Sequence, residues 1–324
     1  MTPLTVQEHF VANNDGWLLH LRQAWHPDRY DPAARPLLIV PGYGMNAFIF
    51  GFHPRGTSME RALAEAGFEV WSVNLRNQGD SRATMPRAPG PSLRAWAEVD
   101  LMAATDAVVQ RTRSTRDRVD LIGASLGGSV SYAHLALRPE HRVGAVVTIG
   151  SPLKWLTVPT LFRLAFASPR LVGMIPISGA RRMAHTAFPL LAKVPRALDL
   201  YMNTSHVDLA SAGELVRTID DPHPRINRDI ARWFQRQDLV LRGVNVTDAL
   251  RDVDRPLLVV RSNRDGIVPD DAAVAALEAW GGDDIETMKI GDDVEWYAHA
   301  DLFISNGAPE HVFAPITDWL LRRQ

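Results

Sequence analysis

Val119-Asp-Leu-Ile-Gly-Ala-Ser125-Leu-Gly-Gly128 is the stretch whose reading decides the fold. Residues 119–122 read as a short buried strand, and a helix is predicted from just after Ser125 to about residue 137. A G-x-S-x-G string recurs by chance, so the string alone says little. Its setting says more. A strand that turns sharply into a helix across this string lifts the serine hydroxyl above the sheet edge, and the glycines permit the tight turn. The helix start behind it presents unpaired N–H groups to a developing anion.

Working outward, Leu37-Leu-Ile-Val40 lies between Pro36 and Pro41 as a wholly apolar run, the signature of a strand buried on both faces. A helix over 57–66 stops at Gly67, and a strand follows over 68–75. Ser92 caps a helix expected to reach about residue 113. Residues 143–149 give a fourth buried strand. At the N-terminus, strands over 8–12 and 17–24 flank Asn13-Asn-Asp-Gly16, a hairpin turn of residues that tolerate positive φ. This alternation predicts an α/β fold with a mostly parallel sheet covered by helices on both faces. The alternation breaks near Ser151 and resumes at Pro256, with strands over 257–260 and 285–290 and helices over 271–280 and 309–322. Between the two parts, prolines from Pro159 to Pro224 interrupt a stretch rich in Leu, Phe and Met, with no convincing strand. The expected organisation is a core domain, 1–152 and 253–324, with a helical cap inserted at 153–252.

The 324 residues allow two domains, or one large α/β domain carrying an insertion. Zero cysteines exclude disulfides, thiolate catalysis and Cys-type metal sites. Lys and Arg number 35 against 37 Asp and Glu, a net charge of −2 that argues against nucleic-acid binding. No basic start followed by an apolar run marks a secretory signal, and no run of about 18 apolar residues marks a membrane span. The expected compartment is the cytoplasm.

A serine hydroxyl is a weak nucleophile and needs a base within reach. Of the 11 histidines, His26, His141 and His223 read as surface residues, and His134 falls inside the helix after Ser125, pointing away from the sheet's carboxyl edge. His206 near Asp208 lacks a third ligand at metal spacing. His299 lies in the loop between the last strand and the last helix, where this architecture delivers side chains to the ligand-binding edge. His311 is its rival but sits inside the closing helix. The base needs an acid to fix its tautomer. Asp265 follows the strand at 257–260, whereas Asp270 and Asp271 sit where a helix cap is wanted. For the oxyanion, the backbone N–H of Leu126 and that of Tyr43, in Pro41-Gly-Tyr-Gly44, are the expected donors. No cofactor and no metal are implied.

With these residues in place, the sequence resembles the α/β-hydrolase superfamily along nearly its whole length outside the insertion, including the chain order Ser125, Asp265, His299. Pro41-Gly-Tyr-Gly44 stands where the family has His-Gly before the oxyanion residue, with proline replacing histidine. Asn74-Leu-Arg-Asn-Gln-Gly-Asp-Ser81 resembles the family's Asp-x-Arg-Gly-x-Gly-x-Ser loop. Ala298-His-Ala-Asp-Leu-Phe303 resembles the His-x-Asp segment of acid lipases and of polyhydroxyalkanoate-synthase-like members. Those synthases use a cysteine nucleophile, so polymer synthesis is not expected. Serine at 125 likewise disfavours members with an aspartate nucleophile. The resemblance implies a serine hydrolase of a small-molecule carboxylic ester working through an acyl-enzyme, and the apolar residues of the insertion point to an esterase or lipase-like activity on an apolar acyl group. An acyltransferase passing the same acyl group to another acceptor, or a silent binding protein on this fold, are the competing readings.

Overall fold

The inner strands are short apolar runs, and in the computed structural model, which describes residues 2–191, 194 and 196–324, they form the centre of one main sheet. In chain order its strands are β1 (Thr5–Ala12), β2 (Trp17–Trp25), β3 (Leu37–Val40), β4 (Val70–Asn74), β5 (Val119–Ala124), β6 (Val143–Ile149), β7 (Leu257–Ser262) and β8 (Ile285–Ile290). Their spatial order is β1-β2-β4-β3-β5-β6-β7-β8, with a two-residue strand, Arg82–Ala83, on the side of β2. β1 and β2 form an antiparallel hairpin that meets β4 antiparallel, and from β4 to β8 every pairing is parallel. The hairpin turn uses positive φ at Asn14 and Gly16, as its composition predicts.

Alternate side chains of each inner strand enter different cores. Leu38, Val40, Leu121 and Val259 pack on one face with helices α1 (Leu101–Arg111) and α2 (Leu126–Leu137). Leu37, Ile39, Ile122 and Leu258 pack on the other with the helix Met59–Glu65, capped by Ser58, and with the closing helix Ala314–Leu321. Fully burying each such side chain is worth about 1.5–3 kcal/mol, so this double-faced burial is what holds the sheet.

Between β6 and β7 the chain forms the short helices Thr160–Ala165 and Pro169–Val172, then α3 (Ala180–Leu191), Ala212–Leu215 and α4 (Pro224–Arg236). Of the insertion expected at 153–252, residues 192, 193 and 195 lie outside the described residues. One expectation needs correcting: a two-residue antiparallel pair, Val240–Leu241 with Val244–Asn245, does occur there. Its turn carries positive φ at Arg242 and Gly243, a signal too short to read as a strand from sequence. The single helix expected from 92 to 113 is also interrupted, by a π-helical turn at Trp96–Asp100.

That turn has a purpose in the packing. It aims the Asp100 carboxylate at Arg76, and both side chains are wholly buried. Arg76 Nε and Nη2 donate to Asp100, Nη1 donates to Asp15 at 2.6 Å, and Asn13 Nδ2 donates to Asp100 at 2.6 Å. Trp96 Nε1 closes the network on the Arg76 carbonyl at 3.1 Å. Hairpin turn, β4 loop and π turn are thereby tied to one another. Replacing Asp100 with Ala leaves a buried guanidinium without its main partner, and should cost about 3–5 kcal/mol in urea denaturation. The exposed pair Arg217–Glu214 should cost well under about 1 kcal/mol in the same assay. Equal losses at the two sites would contradict this assignment.

Candidate active site

Ser125 occupies the turn between β5 and α2 with φ 52° and ψ −124°, a conformation that costs a non-glycine residue about 1–3 kcal/mol. Backbone bonds hold it there: Ser125 N–H donates to the Ile149 carbonyl at 2.8 Å, and its own carbonyl accepts from Gly128 at 3.0 Å. The close approach needs glycine on both sides. A Cβ on Gly127 would collide with the Val40 carbonyl, and one on Gly123 with the backbone of Gly128.

Two other strand ends deliver side chains to the same edge. Asp265 follows β7, where its Oδ1 accepts from the Ile267 and Val268 amides, each at 2.8 Å. His299 follows β8, just before the short helix Asp301–Ile304. Its Nδ1 lies 2.7 Å from Asp265 Oδ2 and its Nε2 lies 3.0 Å from Ser125 Oγ. Both side chains are nearly withdrawn from water, 8% and 5% exposed for His299 and Asp265. With a proton on Nδ1 held by Asp265, Nε2 is free to accept from the serine hydroxyl.

Tyr43 and Leu126 line the same cavity as Ser125 and His299. Among the described residues, neither backbone N–H donates to a backbone acceptor, which leaves both available to an anion. The loop carrying Tyr43 is braced from outside the site. Gln78 Nε2 donates to the Gly42 carbonyl at 3.0 Å, and Asn74 Oδ1 accepts from Ala47 at 2.8 Å. The Tyr43 hydroxyl, pushed up to about 12 by burial, donates to Asn227 Oδ1 of α4 at 2.6 Å. The cavity has a volume of about 360 Å³, within the range of small-molecule sites. Its walls are mostly apolar: Trp155, Phe162, Phe166, Trp233 and Phe234 come from the segment between β6 and β7, and Phe303 from behind His299.

One residue escaped sequence reasoning. Asp301 is wholly buried two positions after His299, and its carboxylate accepts from the Ala298 amide at 2.7 Å and the Asn203 amide at 2.9 Å. Burial outweighs these donors, and with the nearby Asp265 charge it pushes the carboxyl up to about 7. Adjacent backbone bonds, Ala300 to the Tyr201 carbonyl at 2.8 Å and Asn306 to the His206 carbonyl at 2.7 Å, fasten the same two segments. The only hint in the sequence was an acid two positions beyond the histidine.

The remaining candidates lie elsewhere. His134 is buried with Nδ1 on the Ala97 carbonyl, and burial holds it down at about 4. His26, expected at the surface, is buried instead, its Nδ1 accepting from Asp28 within the turn that leaves β2. His141 and His223 are half-buried and accept local amides, His223 as the cap of α4. His311 is exposed and bonds the Tyr297 hydroxyl at 3.0 Å. Asp208 pairs with Arg55 at 3.3 Å, and among the described residues no group of three or more potential metal ligands surrounds His206. Asp270 and Asp271 sit in the first turn of the helix Asp270–Ala279, with Asp270 paired to Arg261. Among the described residues no helix is long and apolar enough to cross a membrane.

Comparison with known proteins follows the same line. Over 183 residues the chain is 26% identical to gastric triacylglycerol lipase of Rattus norvegicus, covering 49% of this chain and 46% of that protein. The chain spans between about a third and a half of the length of the curated relatives it matches, 32% and 46% for the first two. An esterase from Rhodococcus sp. ECU1013 superposes with a TM-score of 0.61 at 20% identity, covering 100% of both chains. The meta-cleavage product hydrolase of Pseudomonas fluorescens gives 0.63 at 13% identity, covering 98% of both. At these identities the two structures share the fold. The α/β hydrolase fold family matches residues 35–290, and the chain belongs to that family.

Proposed function

We propose that this chain is a serine hydrolase that cleaves a carboxylic ester with an apolar acyl group. Ser125 Oγ attacks the carbonyl carbon while His299 Nε2 takes its proton, and Asp265 orients the ring and stabilises the imidazolium. The amides of Tyr43 and Leu126 receive the oxyanion. Collapse of the tetrahedral intermediate expels the alcohol, protonated by His299, and leaves Ser125 acylated. Water deprotonated by His299 then releases the acid. Residues 153–252 act as a cap on the core domain, supplying most of the wall against which the acyl group packs.

The observation that carries this reading is the relay of 3.0 Å and 2.7 Å from Ser125 through His299 to Asp265, at the floor of an apolar cavity. A half-buried hydroxyl facing the cavity, in series with an imidazole and a carboxylate nearly shut off from water, has a direct use in acyl transfer. Asp301 and its two amide donors hold the loop that carries His299.

Two outcomes are expected. In a chain-length series of p-nitrophenyl esters, turnover should peak at one acyl length, and Ser125→Ala should lower kcat by at least about 10³-fold with little change in melting temperature. Survival of turnover in that variant would remove Ser125 from the mechanism. The second outcome concerns pH. The Asp301 carboxyl titrates at about 7 in the folded protein and at roughly 4 when unfolded, so the folded state binds the extra proton between those values. Its contribution to stability is therefore full below about pH 4 and is lost as pH rises through about 7. Denaturation of the wild type should show this decline, and Asp301→Asn should flatten it. Parallel profiles for the two proteins would contradict the assignment.

A further inference from the structure

The segment that walls the cavity also presents an apolar surface to water. Leu161, Leu164, Leu171, Met174, Ile175 and Met183 are each 60–75% exposed, and all fall within one continuous stretch of chain. Neither short helix in it, Thr160–Ala165 or Pro169–Val172, contains a buried residue. A helix that is apolar on more than one face is normally covered by protein or lipid. Here Phe162 and Phe166 face the cavity over Ser125, while Leu161 and Leu164 of the same turn face out.

Charge says what covers this surface. From residue 153 to residue 198 the sequence holds seven Lys and Arg and no Asp or Glu, although the whole chain nets −2. Arg163, Arg170 and Arg182 are exposed among the apolar residues, whereas Arg181 is engaged by Asp220 at 3.0 Å. Apolar side chains interleaved with Arg163, Arg170 and Arg182, which form no ion pair among the described residues, match a surface that is apolar below and anionic at its rim. A second copy meeting this face about a two-fold axis would set arginine against arginine.

We propose that residues 156–183 form a docking surface for an anionic lipid bilayer, with the exposed Leu and Met side chains entering the acyl boundary and Arg163, Arg170 and Arg182 meeting lipid phosphates. Docked this way, the outer face of the Thr160–Ala165 helix lies in lipid and its inner face lines the cavity. An acyl ester carried by the bilayer thus starts one helix away from Ser125. The proposal concerns binding and stands apart from the hydrolase reading.

Co-sedimentation of the full chain with vesicles tests it, because binding is read without turnover. The chain should bind equimolar phosphatidylglycerol–phosphatidylcholine vesicles at low salt, and pure phosphatidylcholine vesicles on the order of tenfold or more weakly, since each basic residue is worth roughly fivefold. Leu164→Ser with Met174→Ser should weaken binding to the anionic vesicles by about tenfold or more. Arg163→Glu with Arg170→Glu should erase the anionic preference. None of these four side chains lines the cavity, so melting temperature and turnover of a short soluble ester should stay at wild-type values. Absence of binding to both vesicles would overturn the proposal, as would equal binding to both. So would self-association, or capture by an acidic protein, that is lost in the Leu164–Met174 double variant while no lipid binding is seen.

Discussion

The contact between the Val40 carbonyl and Gly127 is the constraint on which the rest depends. β3 and β5 are neighbours in the sheet, and α2 must start directly against the end of β3 for Ser125 to stand above the edge. No side chain fits between them. The strain at Ser125, φ 52°, persists because the sheet on one side and α2 on the other over-determine that turn. Everything that reaches the serine is then placed by the parallel sheet. Asp265 and His299 come from loops after β7 and β8, so strand order brings them to the same edge, and the amide bonds to Asp265 and Asp301 fix the loops that carry them.

A second layer fixes the loop opposite. Arg76 and Asp100 are buried and touch none of the three residues of the relay, yet their network determines where residues 74–81 run. That stretch sends Gln78 to the Gly42 carbonyl and Asn74 to the Ala47 amide. The ion pair is costly to desolvate, and its benefit lies in direction, since a bidentate guanidinium–carboxylate pair specifies orientation as well as proximity. Donors aimed at an oxyanion must be in place before charge develops, so a rigid support behind Tyr43 fits the chemistry proposed for it.

Much of this was legible in the sequence because it is local. The run Leu37–Val40, buried on both faces, needs no partner to be recognised, and the glycines around Ser125 state their own backbone requirement. Asp265 and His299 could be chosen because each follows a predicted strand of a parallel sheet. What stayed hidden depends on contacts between distant residues. The π turn at Trp96–Asp100 exists to reach Arg76, and Asp301 acquires its environment from Asn203, 98 positions away. Tyr43 meets Asn227 across 184 positions. His26 looked like a surface residue because the turn that buries it has no apolar pattern.

Asp301 also explains how the segment between β6 and β7 is joined to the sheet. Residues 201–206 are stitched to the His299 loop by Asn203 and Tyr201 backbone atoms, by Asn203 Nδ2 on the Trp296 carbonyl at 3.0 Å, and by the His206 carbonyl. At the other end α4 is buried through Ile226, Ile230 and Trp233. Thr160–Ala165 and Pro169–Val172, between these anchors and β6, contain no fully buried residue. Local opening free energy follows buried contact, so these two helices, one of which lines the cavity, open at lower cost than the anchors on either side. An aqueous surface offers them little reason to hold their shape. A lipid surface would supply the missing burial on their outer face, which makes the unequal anchoring of this segment and its apolar, basic exterior two consequences of one arrangement.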